Sequence, residues 1–166
     1  PGLTEAYVEA VAERSEGNPL YLQLLAEQLF QGELAVGDTD ALPEKVSELY
    51  EGTVDRITGG DGGAQALDVF LVLTEAREPL SVPAMAGLLD ERSTEVRKGL
   101  RTAMELLQRQ EGEGETSGRY QLFHETLRTW LRGGDHAAEC TAKNEQMAER
   151  CFQWTDRREA GARGYA

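Results

Sequence analysis

The sequence is poor in the side chains that usually do chemistry. It holds two histidines and two cysteines in 166 residues. Two cysteines cannot build the disulfide framework of a small secreted domain, so a reducing, cytoplasmic compartment is expected. Long apolar runs are also missing. The longest, Val69 to Leu73, has five residues, against about 20 for a membrane-spanning helix. No basic segment followed by an apolar one opens the chain, so no signal peptide is expected. Positive charge is scarce: 17 Lys and Arg face 30 Asp and Glu, a net charge of −13. That balance argues against a generic nucleic-acid or anionic-membrane binder, which needs a basic footprint. What remains, 40% apolar and 28% charged residues, is the composition of a globular protein.

The charge is uneven along the chain. Residues 1–60 carry −9 and residues 61–90 carry −4, whereas 91–132 carry +1 and 133–166 carry −1. Any contact with DNA would have to use the balanced segment. There Arg97, Lys98 and Arg101 stand on the outer face of an expected helix. Flanking Glu95 and Glu105, and the wing residues Glu111, Glu113 and Glu115, would repel phosphate, so ordinary surface solubility is the simpler account and DNA an unfavoured partner.

Periodicity predicts mostly helix. Leu3, Tyr7, Val8 and Val11 recur at helical spacing, and Ser15-Glu16-Gly17-Asn18-Pro19 interrupts them. Gly17 suits a helix end, and Pro19 suits the first turn of the next helix, which carries Leu20, Leu24, Leu25 and Leu29. Pro43 is expected to open a third helix, bearing Val46, Leu49, Tyr50, Val54 and Ile57. Glycines at 59, 60, 62 and 63 end it and are a candidate hinge, as are Gly133-Gly134. Residues 64–74 are apolar on most sides, the pattern of a helix buried all round.

Residues 81–109 read as a helix-turn-helix. Ser81 precedes Pro83 at the first start, and Ser93 or Thr94 caps the second helix, with its stripe Val96, Leu100, Ala103 and Leu107. A Gly-rich polar turn, 111–118, then separates two short alternating runs, which predicts a two-stranded hairpin. That order is the order of a winged helix. Leu127, Trp130 and Leu131 mark the helix that follows. A last helix, about residues 135–155, carries Cys140, Met147, Cys151 and Trp154 on one stripe, and 156–166 has the composition of a linker.

Catalytic patterns are not found. Cys140 and Cys151 are 11 residues apart on one helix, about 16 Å by helix rise, too far to bridge or share a metal. Neither His124 nor His136 has a cysteine at ligand spacing. There is no nucleophile elbow, no His-Glu-x-x-His and no P-loop.

Two short motifs stand out: Gly17-Asn18-Pro19-Leu20 between two helices, and Phe123-His124-Glu125 where the hairpin meets a helix. Together with the intervening winged-helix order, residues 3–132 resemble the STAND branch of AAA+ NTPases, signalling ATPases that include apoptotic activators, immune receptors and bacterial regulators. The resemblance implies a helical lid whose Gly-x-Pro motif, here Gly17 and Pro19, lies near the adenine. It also implies a winged helix whose histidine, here His124, reaches the β-phosphate of ADP. Phe123 and Glu125 stand where the family often has Met and Asp.

The resemblance further implies a lid segment at 1–41, a winged helix at 42–132, and a helix and linker at 133–166. It implies an upstream P-loop domain and a downstream repeat or sensor region as partners, with ATP or ADP bound only in the full-length protein. A conformational switch without catalysis of its own is then expected. The alternatives are a DNA-binding winged helix of a transcription regulator and a protein-interaction adaptor without a nucleotide role.

Overall fold

The first two helix starts follow from caps that the sequence itself supplies. In the computed structural model, which describes residues 3–111 and 118–163 with side chains through 153, α1 spans Glu5–Ser15 and α2 spans Pro19–Gln31. The Thr4 hydroxyl accepts from the Tyr7 amide at 3.2 Å to start α1, and Asn18 Oδ1 accepts from the Leu20 amide at 3.0 Å to start α2. Helix α3 spans Val46–Gly59. Pro43, expected to open it, stays outside, and its carbonyl accepts the Tyr21 hydroxyl at 2.5 Å.

Two units are distinguished, Pro1–Arg56 and Ile57–Ala166. The division falls inside the last turn of α3. In the first unit Tyr7, Leu20, Tyr21, Leu24, Leu25, Leu42, Leu49, Tyr50 and Val54 are buried. Buried Gln28 donates to the Leu49 carbonyl at 3.2 Å. Of the expected stripe on α1, Tyr7 is buried and Val11 half-buried, whereas Leu3 and Val8 are 72% and 53% exposed. Leu29 is only half-buried.

The second unit is built around α4, Gly63–Glu75, whose Ala66, Val69, Phe70 and Val72 are wholly buried. Its all-round apolar pattern is explained by neighbours on several sides: α5 (Val82–Leu89), α6 (Ser93–Ala103), α7 (Glu125–Gly133) and α8 (Ala137–Arg163) all pack on it. The glycine turn before α4 is closed rather than slack, because a Cβ on Gly63 would lie 1.9 Å from the Thr58 carbonyl oxygen. Helix α8 continues to Arg163, through residues 156–163 that composition reads as linker; their Ala, Arg and Glu are good helix formers. The Trp154 side chain lies outside the described residues.

The sheet has three strands rather than two. Strands β2 (Leu107–Gln110) and β3 (Arg119–Leu122) form the expected antiparallel hairpin, with Leu107 opposite Leu122 and Gln110 opposite Arg119. Strand β1, Leu80–Ser81, pairs with the other edge of β3, giving the order β1-β3-β2. Two residues are too few to show alternation, and Ser81 doubles as the N-cap of α5, accepting from the Ala84 amide at 3.4 Å. Among the described residues the chain is therefore mainly helical with a small antiparallel sheet. None of its described helices is long and apolar enough to cross a membrane.

Candidate functional site

The residues singled out from sequence fall in three places. Gly17 and Pro19 belong to the first unit. Glu16 closes α1 in the left-handed conformation at φ 48°, and Gly17 follows at φ 74°. Two such residues in a row turn the chain sharply. A Cβ on Gly17 would touch nothing within 4 Å, so the glycine is needed for its backbone angle and not for space. Gly17, Asn18, Arg14, Tyr21 and Lys45 line a cleft of about 370 Å³. The Arg14 guanidinium is committed to the carbonyls of Thr39, at 2.9 Å, and Leu42, at 2.5 Å. Lys45, not singled out from sequence, is exposed and is the cleft's available cation, with Glu16 and Glu44 beside it. Pro19 is exposed in the first turn of α2.

His124 lies in the second unit, at the N-cap of α7 with extended backbone, φ −147° and ψ 144°. Its place is fixed from both sides. The Phe123 amide donates to the Leu106 carbonyl at 3.1 Å, which pins the end of β3. Arg132 of α7 donates to the Thr74 carbonyl at 3.1 Å and pairs with Glu75 at 3.0 Å, which fastens α7 to the C-terminal end of α4. The imidazole caps the helix: Nδ1 accepts from the Thr126 amide at 3.2 Å and lies 2.8 Å from the Thr126 hydroxyl. With Nδ1 accepting from the helix start, Nε2 is the ring nitrogen left to donate. The ring is exposed, beside Phe123 at 6.3 Å between centroids. Neighbouring Glu125 is exposed and pairs with Arg128 at 3.6 Å. A donor at a helix N-terminus is suited to an anion.

The third place is α6. Its buried face, Val96, Gly99, Leu100 and Ala103, packs inward, with Gly99 so close to α4 that a Cβ would lie 2.4 Å from the Gln65 carbonyl oxygen. Arg97 and Arg101 are exposed on the opposite face. Lys98 is not part of that face in the same sense, because its ammonium holds Asp61 at 2.8 Å. That hydrogen bond and charge keep the Asp61 carboxyl below its ordinary pKa. The N-cap is Arg92, with no side-chain cap bond; Ser93, expected as a cap, is the first helical residue. Glu113 and Glu115 lie outside the described residues.

The cysteines have opposite surroundings. Cys140 is buried, and burial, with Glu75 second, raises its thiol to about 11. Cys151 is exposed, and neither residue forms a disulfide. One fast equivalent of thiol reagent at pH 8 is therefore expected from the native chain, and two after denaturation. Two fast equivalents in the native chain would contradict the burial of Cys140. The raised pKa also has a sign for stability: the unfolded thiol ionises near its ordinary value of 9.0 while the folded one holds its proton. Stability from this group is thus present below pH 9 and is lost as pH rises toward about 11.

No group of three or more potential metal ligands occurs among the described residues. No protein-family model matches the chain, and neither the curated proteins nor the solved structures searched contain a match.

Proposed function

We propose that this chain is the regulatory part of a STAND-type signalling ATPase: a helical lid segment followed by a winged helix, acting as a nucleotide-dependent conformational switch without catalysis of its own. The element order supports a winged helix: helix α4, strand β1, helices α5 and α6, then the hairpin β2–β3. The observation that carries the nucleotide reading is the capping geometry of His124. Its Nδ1 is spent on the start of α7, which leaves Nε2–H as an exposed donor next to a helix N-terminus. In this reading Gly17 and Pro19 belong to the lid and His124 to the latch on the β-phosphate. The nucleotide itself is held mainly by an upstream P-loop domain.

Substitution at His124 separates latch from cap. His124→Asp keeps a side-chain oxygen that can accept from the Thr126 amide, so folding stability is expected to change little. His124→Ala removes the cap and is expected to cost about 0.5–2 kcal/mol. In the natural polypeptide that includes the P-loop domain, both changes are expected to weaken ADP binding at least about tenfold, since Asp brings a carboxylate to a phosphate. Unchanged ADP affinity in the Asp variant, measured by calorimetry, would sink the latch assignment.

A further inference from the structure

The basic side chains of the second unit divide sharply into committed and uncommitted ones. Lys98 holds Asp61, Arg128 pairs with Glu125, Arg132 with Glu75, Lys143 with Asp68 at 2.6 Å and Arg150 with Asp90 at 2.5 Å. Arg119 is engaged as well. Among the described residues of this unit, the cations left without a partner are Arg77, Arg92, Arg97, Arg101 and Arg109. All five are exposed. Four of them lie on one continuous stretch: Arg92 at the N-cap of α6, Arg97 and Arg101 on its outer face, and Arg109 on the edge strand β2 that follows.

Two of the acidic neighbours that weighed against this stretch, Glu95 and Glu105, are engaged elsewhere. Glu95 is half-buried and accepts from the Gln65 side chain at 3.3 Å, toward α4. Glu105 is half-buried and engaged. Glu91 and Glu111 remain exposed at the two ends, and Glu113 and Glu115 lie outside the described residues. A Cβ on Gly118 would lie 2.5 Å from Arg109 Nε, so the Arg109 side chain rests on the hairpin at the root of its turn.

We propose that this face binds the phosphate backbone of duplex DNA, with α6 entering the major groove and Arg109 reaching a flanking phosphate. The inference is independent of the nucleotide latch, which uses other residues. All four groups are arginines, whose planar fork matches phosphate oxygens in pairs and can also read guanine edges. Helix α6 is the second helix of a consecutive pair, and its apolar face is fully spent on the core, which leaves Thr94, Arg97 and Arg101 as one outward stripe.

Fluorescence anisotropy of the full chain with a duplex of about 20 base pairs, between about 50 and 200 mM salt, tests the proposal. Binding that falls steeply with salt is expected. The double variant R97E/R101E is expected to lose at least about tenfold in affinity and to lower the log–log salt slope by about two. R77E, which reverses an uncommitted arginine outside the stretch, controls for net charge and is expected to bind as the parent does. Circular dichroism checks that the variants fold. No duplex binding at low salt, or equal losses in R77E and R97E/R101E, would overturn the proposal. So would tight binding of poly-glutamate, lost in R97E/R101E, with no binding of duplex; that outcome would make the partner an acidic protein.

Discussion

Gly99→Ala is expected to destabilise the second unit by about 3 kcal/mol, the upper end of the usual cost of overpacking. The cause is backbone meeting backbone. An added Cβ would sit 2.4 Å from the Gln65 carbonyl oxygen and 2.6 Å from its carbon. A flexible side chain could swing aside, but the α4 main chain is itself packed on several sides and cannot. Gly99 is what lets α6 lie against α4, so the variant pushes the arginine-bearing helix away from its support. Gly87, in α5, is the matched comparison: it is exposed and a Cβ there would touch nothing within 4 Å. Gly87→Ala is expected to stabilise by up to about 1 kcal/mol through helix propensity alone. Urea unfolding of both variants decides the matter. If the two behave alike, the close approach of α4 and α6 is wrong.

Phe70→Ala is expected to cost about 3–5 kcal/mol, the range for emptying a fully buried aromatic site. Phe70 is 0% exposed in the middle of α4, where the surrounding helices leave little freedom to collapse into the void. Phe152, on α8, is 74% exposed, and Phe152→Ala is expected to stay within about 0.5 kcal/mol of the parent. A loss below about 1 kcal/mol for Phe70→Ala, in thermal or urea unfolding, would show that α4 is not the centre of the core.

Much of this architecture was legible from local signals. Gly17 and Pro19 mark the end of one helix and the start of the next, Ser81 with Pro83 marks the start of α5, and the Gly-rich turn between alternating runs marks the hairpin. Each is a statement about residues within a few positions of one another. The failures share a cause. Pro43 looks like a helix start, but its carbonyl is taken by Tyr21, 22 positions earlier in sequence. Leu3 and Val8 fit a helical stripe, yet only tertiary packing says which stripe is covered, and here it covers Tyr7. Strand β1 exists because β3 offers it an edge; two residues carry no pattern of their own.

The candidate site divides in the same way. His124 stood out as the middle of Phe123-His124-Glu125, where the hairpin meets a helix, and through the family resemblance of that triplet. That it caps the helix through Nδ1, and so presents Nε2, comes from the Thr126 amide geometry. Arg97, Lys98 and Arg101 look equivalent in sequence, three cations on one helix face. Arg92 and Arg109 carry no local signal that sets them apart from other surface arginines.

The sequence by itself determined the helical class, the cap at Ser81, the hairpin, the scarcity of catalytic groups and the concentration of negative charge in the first 60 residues. These depend on composition and on spacing within a turn or two of helix. The tertiary structure decided which charges are neutralised. Asp61 takes Lys98 from 37 positions away and Gln65 takes Glu95 from 30, leaving Arg97 and Arg101 facing outward. A charge pair forms between groups that folding brings together in space, and no local pattern records which partner a side chain will meet.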